Sequence, residues 1–316
     1  MFTGSDKADK AFWKYIRSKK QDMPGVSPLK IGNQVIYDSA CKARTFNEQF
    51  QSVFTDEDKT SIPSLSDPLY PEMGNIVVTP GGVQKLLEAI KVHVDKATGP
   101  DSIPGRFLKD YAKELAPVLC FIFQQSLDTG VVPSDWRLAS ITPIFKKGDK
   151  STPSNYRPVS VTSICSKMIE HIIFSQIMAH YDLNNVLHDS QHGFRPGRSC
   201  ETQLIMTAED LAHSIDQKDQ VDAIALDFSK AFDRVPHERL LHKLHHYGIR
   251  SQLLQWIRSF LTDRYQKVVV EGQSSDTIHV KSGVPQGTVL GPLLFISFIN
   301  DITHGVFFFQ YQTICR

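Results

Sequence analysis

The spacing of apolar residues along the chain predicts a mixture of helices and strands. Helical spacing predicts seven amphipathic helices: a short one over 12–16, which lies outside the residues described below, and longer ones over 39–54, 79–94, 107–129, 163–181, 237–247 and 251–261. Pro117 falls inside the helix predicted over 107–129 and should kink or split it. Short apolar or alternating runs predict four strands, the last two joined as a hairpin: Leu138–Phe145, Val221–Phe228, 266–270 and 277–281. The fold class is therefore α/β in the broad sense (α+β).

Composition is that of an ordinary globular protein. Hydrophobic residues make up 41% and charged residues 22% of the 316 positions, so a sizeable core can form. The length suggests about two domains. Five scattered cysteines without a Cys-x-x-Cys spacing favour a reducing compartment. The sequence shows no signal peptide and no apolar run of membrane-spanning length, which predicts an intracellular protein.

Net charge argues at first against a polyanion partner, because 35 Lys and Arg nearly balance 34 Asp and Glu. The average hides two basic stretches. Residues 1–30 carry seven Lys and Arg against three Asp, and residues 137–200 carry eight against four acidic residues. Several cations of the second stretch lie in turns rich in Gly and Pro, where they could grip phosphate groups. The alternative is an ordinary solvated surface.

Two segments carry candidate chemistry. Asp227 ends a predicted apolar strand, where a carboxylate is unfavourable unless something such as a metal ion compensates it. The alternative is an aspartate that faces solvent or caps the next turn. Phe232, five residues later, could lie beside a substrate sugar. In the loop over 282–292, Gly287 allows a close backbone approach, and the Gln286 amide can donate and accept hydrogen bonds.

Six short segments occur in an order that is typical of one family. They are TGPDSIP at 98–104, ITPIFKKGD at 141–149, NYRPVS at 155–160, QHGFRPG at 191–197, ALDFSKAFD at 225–233, and GVPQGT at 283–288 with FIND at 298–301. With them the chain resembles the reverse transcriptase of non-LTR (LINE-type) retrotransposons, over nearly its whole length to about residue 305. Any one of these segments would be weak evidence for the family, whereas six of them in this order are specific to it.

The resemblance implies an RNA-directed DNA polymerase, which extends a DNA primer on an RNA template from deoxynucleoside triphosphates (dNTPs) with Mg²⁺. By resemblance, Asp227 is the catalytic, metal-binding carboxylate, Phe228 lies beside it, and Phe232 is the aromatic gate that disfavours a ribose 2′-OH. The other residues that the resemblance implies for nucleotide binding are Gln286, Gly287, Arg157, Lys146 and Lys147. Arg195 and Arg198 are candidate nucleic-acid-binding residues.

The same resemblance implies a right-hand polymerase architecture. A basic, loosely organised linker segment is expected over 1–75, helical fingers over 76–220, a partial ferredoxin-like palm over 221–305 and an aberrant tail over 306–316. The thumb is expected to be absent.

One motif of the family is missing. The family carries an aromatic-Ala-Asp-Asp hairpin soon after the segment that matches 298–302, and this sequence contains no Asp-Asp pair. Asp301 belongs to a helix end and does not replace it. The sequence therefore predicts a C-terminally truncated polymerase that is inactive as this chain. The alternative is a non-catalytic RNA- or DNA-binding remnant. A metal-dependent nuclease that uses Asp227 is a weaker interpretation, because its other carboxylates are also lacking.

Overall fold

The computed structural model describes residues 25–62, 69–91, 98–222, 224 and 227–302. In these ranges the α-helices are α1 (Ser39–Gln51), α2 (Pro80–Glu88), α3 (Gly105–Asp110), α4 (Ala112–Thr129), α5 (Ile164–Leu183), α6 (Cys200–Asp216), α7 (His237–His246), α8 (Ser251–Thr262) and α9 (Leu290–Ile299). The strands are β1 (Leu29–Ile31), β2 (Gln34–Ile36), β3 (Leu138–Phe145), β4 (Tyr156–Val161), β5 (Tyr265–Val270), β6 (Gln273–Ser274) and β7 (Ile278–His279). The predicted tail over 306–316 lies outside the described residues.

Helix boundaries follow local signals in the sequence. The Thr79 hydroxyl accepts the Gly82 N–H at the start of α2, and Gly130 ends α4 with a φ of +67°. The prediction that Pro117 splits the helix over 107–129 is wrong, because the break lies at Tyr111, between α3 and α4. Pro117 lies inside a continuous α4. No helix in the described ranges is long and apolar enough to cross a bilayer.

One mixed sheet contains five of the strands, in the order β4-β3-β5-β6, with β7 also paired with β5. β3 runs antiparallel to β4 and parallel to β5. The predicted second strand over 277–281 is present as the shorter β7, and the chain predicted as the hairpin turn contains a further short strand, β6. Glu271 and Gly272 have φ values of +50° and +80°, so a two-residue turn reverses the chain and pairing resumes at Gln273. Helices and a mixed sheet together confirm the α/β class.

The segment from β1 to α1 belongs to a hydrophobic core. Leu29, Ala43, Phe46 and Phe50 pack against one face of the sheet, and the Phe46 ring lies edge-on 4.8 Å from the Tyr156 ring. The sheet residues of this core are Ala139, Ile141, Tyr156, Val268 and Val270. The expectation of a loosely organised segment over 1–75 is therefore wrong for this part of it. The apolar stripe of α1 covers the sheet.

A larger core joins helices from both sides of the predicted boundary at residue 221. It contains buried residues of α2, α3, α4, α5, α7, α8 and α9. Trp256 of α8 is fully buried, and its indole N–H donates to the Ser126 hydroxyl of α4 at 2.9 Å. Tyr181 of α5 is also buried, and its hydroxyl lies 2.9 Å from that of Ser297 in α9. These seven helices, from both sides of residue 221, thus share one core.

The prediction of a strand over Val221–Phe228 is wrong for the described part of that segment. Five of its eight residues are described, and all five are exposed and outside any strand: Val221, Asp222, Ile224, Asp227 and Phe228. The exposed fraction of Ile224 is 78%. An apolar run indicates a buried strand only where neighbouring elements cover it, and no described element covers this one.

Candidate functional site

Backbone contacts fix the loop that precedes α9, which we call the Gln286 loop (residues 282–289). The Val284 N–H donates to the Phe232 carbonyl at 2.8 Å. Gly283 has a φ of +90°, and a Cβ there would lie 2.7 Å from the carbonyl oxygens of Phe232 and Asp233. Only glycine fits such a position, so the loop lies directly against the end of the ALDFSKAFD segment.

Gln286 and Gly287 lie against strand β4. The Ser160 N–H donates to the Gln286 carbonyl at 2.8 Å. Gly287 is exposed, has a φ of +98°, and a Cβ at this position would lie 2.7 Å from the Ser160 carbonyl oxygen. The side-chain Nε2 of Gln286 donates to Oδ1 of Asp233 at 3.1 Å. The two predicted residues are thus held between β4 and the segment that ends at Asp233.

Asp233 was not among the predicted site residues, yet its carboxylate orients the Gln286 amide. Burial raises the pKa of the Asp233 carboxyl, and the positive charge of Lys230 and the hydrogen bond from Gln286 oppose that shift. The available signal was its place at the end of the same segment as Asp227. A second aspartate in a turn is more often a surface residue, so the sequence alone gives it little weight.

The Phe232 ring is held between two other aromatic rings. It stacks on Phe295 of α9 with ring centres 4.5 Å apart, and the Phe194 ring meets it edge-on at 5.9 Å. Phe194 belongs to the QHGFRPG segment, so a third predicted segment reaches the same place. These contacts fix the position of a half-buried aromatic ring next to Asp233.

Glu170 of α5 is a second residue that the sequence analysis did not single out. Its carboxylate is fully buried and accepts hydrogen bonds from the N–H groups of Val289 and Leu290, at the end of the Gln286 loop. Glu170 precedes Ile173 and Ile177 by three and seven positions, so it lies on their buried stripe. A charged residue on an apolar stripe was the signal for it.

Lys146, Lys147 and Arg157 lie on one hairpin. The two lysines are in the turn between β3 and β4, and Arg157 is on β4 opposite Ile144. All three are exposed. The structure therefore brings the predicted triphosphate-binding cations together on the strand pair that also contacts the Gln286 loop.

Arg195 and Arg198 are engaged within their own segment. Arg198 forms an ion pair with the Asp189 carboxylate at 3.0 Å and also donates to the Asp189 carbonyl. Arg195 donates to the His188 carbonyl at 3.3 Å. Partial burial and the neighbouring charge of Arg198 lower the pKa of Arg195. Some of the N–H donors of these two arginines thus stabilise the turn around 188–198.

Comparison with known proteins decides the family. A profile described as "Reverse transcriptase (RNA-dependent DNA polymerase)" matches residues 144–308, more than half of the chain. The chain belongs to the reverse transcriptase family. The resemblance predicted from six ordered segments is confirmed, including its placement among polymerases of non-LTR retrotransposons.

Several relatives are polymerases of mobile elements. The "Probable RNA-directed DNA polymerase from transposon BS" of Drosophila melanogaster is 29% identical over 92% of this chain and 33% of its own length. The "RNA-directed DNA polymerase from mobile element jockey" of the same fly is 32% identical over 76% of this chain and 26% of its own length. The chain thus spans between a quarter and a third of these two relatives.

Reverse transcriptases generally depend on a divalent metal ion, and the described residues can be tested for such a site. In the described ranges no three His, Cys, Asp or Glu side chains lie together in a way that could hold a metal ion. Asp227 and Phe228 are exposed, and Asp301 is paired with Lys243. The described part of this reverse transcriptase chain therefore does not fit a pair of Mg²⁺ ions, which needs several converging carboxylates.

Proposed function

We propose that this chain supplies the nucleotide-binding corner of an RNA-directed DNA polymerase. In the reaction of such an enzyme, the 3′-OH of a DNA primer attacks the α-phosphorus of a dNTP and pyrophosphate leaves. One observation carries the proposal. Three of the other ordered segments converge on the Gln286 loop, which carries a fourth: Ser160, Phe232 and Asp233 contact the loop, and Phe194 packs against Phe232.

In this proposal the loop and the Phe232 ring form two sides of the nucleotide site. The Gln286 amide, oriented by Asp233, offers hydrogen bonds to the nucleotide, and Gly287 offers bare backbone beside it. Phe232 forms a fixed aromatic wall, since Phe194 and Phe295 restrict its ring. A fixed ring discriminates against a ribose 2′-OH more sharply than a mobile one.

The β3–β4 hairpin supplies the cations for the triphosphate. Arg157 and Val159 project from the same face of β4, because side chains alternate along a strand. Val159 is also the side chain beside Gly287, with its Cγ1 3.4 Å from where a Cβ would lie. Arg157 therefore extends on the Gly287 side of the strand, where phosphate oxygens would accept bidentate hydrogen bonds. Lys146 and Lys147 add charge from the adjoining turn.

We also propose the division into fingers and palm that the family resemblance implies. Residues 76–220 would be the fingers and 221–305 a partial palm, with Arg195 and Arg198 presenting their remaining donors to the template or primer backbone. The two regions would share the larger core, so we expect them to move together rather than as separate domains.

We further propose that this chain does not polymerise by itself. It contains no Asp-Asp pair, so Asp227, in the ALDFSKAFD segment, is the one carboxylate that the resemblance assigns to metal binding. In a primer-extension assay with an RNA template, a DNA primer and dNTPs, no extension is expected with Mg²⁺ or Mn²⁺. Template-dependent incorporation of nucleotides would contradict this proposal if Asp227→Ala abolishes it. The exposed Asp216→Ala is the control and should leave such incorporation unchanged.

The second candidate function is non-catalytic binding of RNA or DNA, and the exposed cations of the β3–β4 hairpin favour it. Binding of the same template–primer should weaken steeply as salt is raised, because phosphate contacts release counterions. Nucleic-acid binding that is insensitive to added dNTP would support the interpretation as a non-catalytic binding remnant. A dNTP-dependent gain in template–primer affinity supports the nucleotide site.

A further inference from the structure

The carboxylate of Glu170 lies buried between α5 and the Gln286 loop. The side chain is fully buried, and its Oε1 accepts a hydrogen bond from the Ser166 hydroxyl at 3.2 Å. Its Oε2 accepts the Val289 N–H at 2.8 Å and the Leu290 N–H at 3.1 Å. Burial raises the pKa of the Glu170 carboxyl, and the two backbone N–H groups oppose that shift.

These hydrogen bonds cap a helix from outside it. The first N–H groups of a helix have no partner within the helix. In α9 the Thr288 hydroxyl accepts the Gly291 N–H at 3.1 Å, and Val289 supplies no side-chain cap for the two preceding N–H groups. Glu170 accepts both of these N–H groups from α5, so a carboxyl oxygen lies at the positive end of the α9 dipole. The junction between the Gln286 loop and α9 is thereby tied to α5.

The other side of the loop is held by the chain just before α5. The Ser160 N–H donates to the Gln286 carbonyl, and Ser160 is only ten positions before Glu170. The segment 160–170 thus holds the loop on both sides of Gly287. No other buried carboxylate among the described residues accepts from the backbone of this loop.

We propose that Glu170 is a positioning residue for nucleotide binding, which acts by fixing the Gln286 loop at its junction with α9. This inference rests on the proposed function, because it assigns the loop to the dNTP. A buried carboxylate is a poor means of stabilising a fold, since an apolar residue of similar size often serves as well or better. The hydrogen bonds to Val289 and Leu290 connect Glu170 to the loop, and the buried Arg264, on which its charge also acts, shares no hydrogen bond with these two N–H groups in the described part of the chain.

The test compares two substitutions at Glu170. Glu170→Met keeps the length of the side chain but replaces two oxygens with a thioether sulfur, which is only a weak acceptor. Glu170→Gln keeps an oxygen for the two N–H groups and an amide N–H for the Ser166 hydroxyl. Glu209→Met, on the exposed part of α6, is the control. Each protein is measured for hydrogen exchange in the peptide 283–292, for binding of dATP to the complex with template–primer, for template–primer affinity, and for stability in urea.

Glu170→Met is expected to speed exchange of the Val289 and Leu290 amides and to weaken dATP binding, each about tenfold, which corresponds to the loss of a charged hydrogen bond. Glu170→Gln should remain within about threefold of the original protein on both measures. Template–primer affinity should stay unchanged in every variant. If Glu170→Met does not fold, Ser166→Ala, which removes the hydroxyl that holds Oε1, should shift both measures in the same direction.

Three results would overturn the inference: unchanged exchange in Glu170→Met, faster exchange with unchanged dATP binding, or a Glu170→Gln variant as impaired as Glu170→Met. If the unaltered chain binds no dATP, the proposed function fails and with it the nucleotide role of Glu170. Exchange in the peptide 283–292 still decides whether Glu170 fixes the loop.

Discussion

Replacing Gly287 with alanine is expected to weaken dNTP binding at least about tenfold. The backbone at Gly287 has a φ of +98°, which a residue with a Cβ adopts only with strain of about 1–3 kcal/mol. The new Cβ would also lie 2.7 Å from the Ser160 carbonyl oxygen, so the loop has to move away from β4. Each 1.4 kcal/mol is tenfold in affinity. Titration of the template–primer complex with dATP measures the loss.

Gly272→Ala is the matched control for this substitution. Gly272 also has a positive φ, +80°, but no atom lies within 4 Å of the place that a Cβ would occupy there. The variant should therefore bear the backbone strain without moving the Gln286 loop, and dNTP affinity should stay within about twofold of the original. Equal losses in the two variants would show that contact with β4 does not set the affinity.

Phe46→Ala is expected to lower the free energy of unfolding by about 3–5 kcal/mol, the usual range for deleting a buried phenylalanine. Phe46 of α1 is fully buried against the sheet and touches Tyr156 edge-on. Because native domains are stable by only about 5–15 kcal/mol, this single change should bring the protein close to unfolding. Urea denaturation followed by circular dichroism measures it.

Phe121→Ala provides the comparison, because the Phe121 side chain of α4 is 68% exposed. Its loss should change the free energy of unfolding by no more than about 0.5 kcal/mol. Similar stabilities for both variants would mean that α1 is a separate segment and not part of the sheet core.

Local signals in the sequence predicted most helices and one strand well. The hydroxyl of Thr79, the glycine at 130 and the apolar stripes along α5, α7 and α8 act within a few residues, so periodicity and capping rules detect them. β3 was predicted with its observed bounds because its alternation reflects one buried face and one that is mostly half-buried.

Long-range packing was not predictable from the same rules. The apolar run at 221–228 has the pattern of a buried strand, yet its described residues are exposed, because burial depends on neighbours that the run itself does not specify. For the same reason the packing of α1 on the sheet was not foreseen. Its partners on β4 and β5 are more than a hundred residues away along the chain.

The residues of the candidate site also fall into those that local patterns predict and those that depend on long-range contacts. Gln286, Gly287, Phe232 and Arg157 could be predicted as candidates because the family's segments mark them. Asp233 and Glu170 act through contacts with residues 53 and about 120 positions away, so no local pattern reveals their partners. The one local signal available for Glu170 was a carboxylate on a buried apolar stripe, and the sequence analysis did not use it.

Photo-crosslinking tests the central claim, that the Gln286 loop and the adjoining Phe232–Asp233 segment form the dNTP site. The complex of this chain with template–primer would be irradiated with 8-azido-dATP, and the labelled peptides identified by mass spectrometry. We predict adducts in peptides that contain residues 230–234 or 283–292, which disappear when unlabelled dATP is added. Adducts confined to other segments, or labelling that unlabelled dATP does not reduce, would contradict the account.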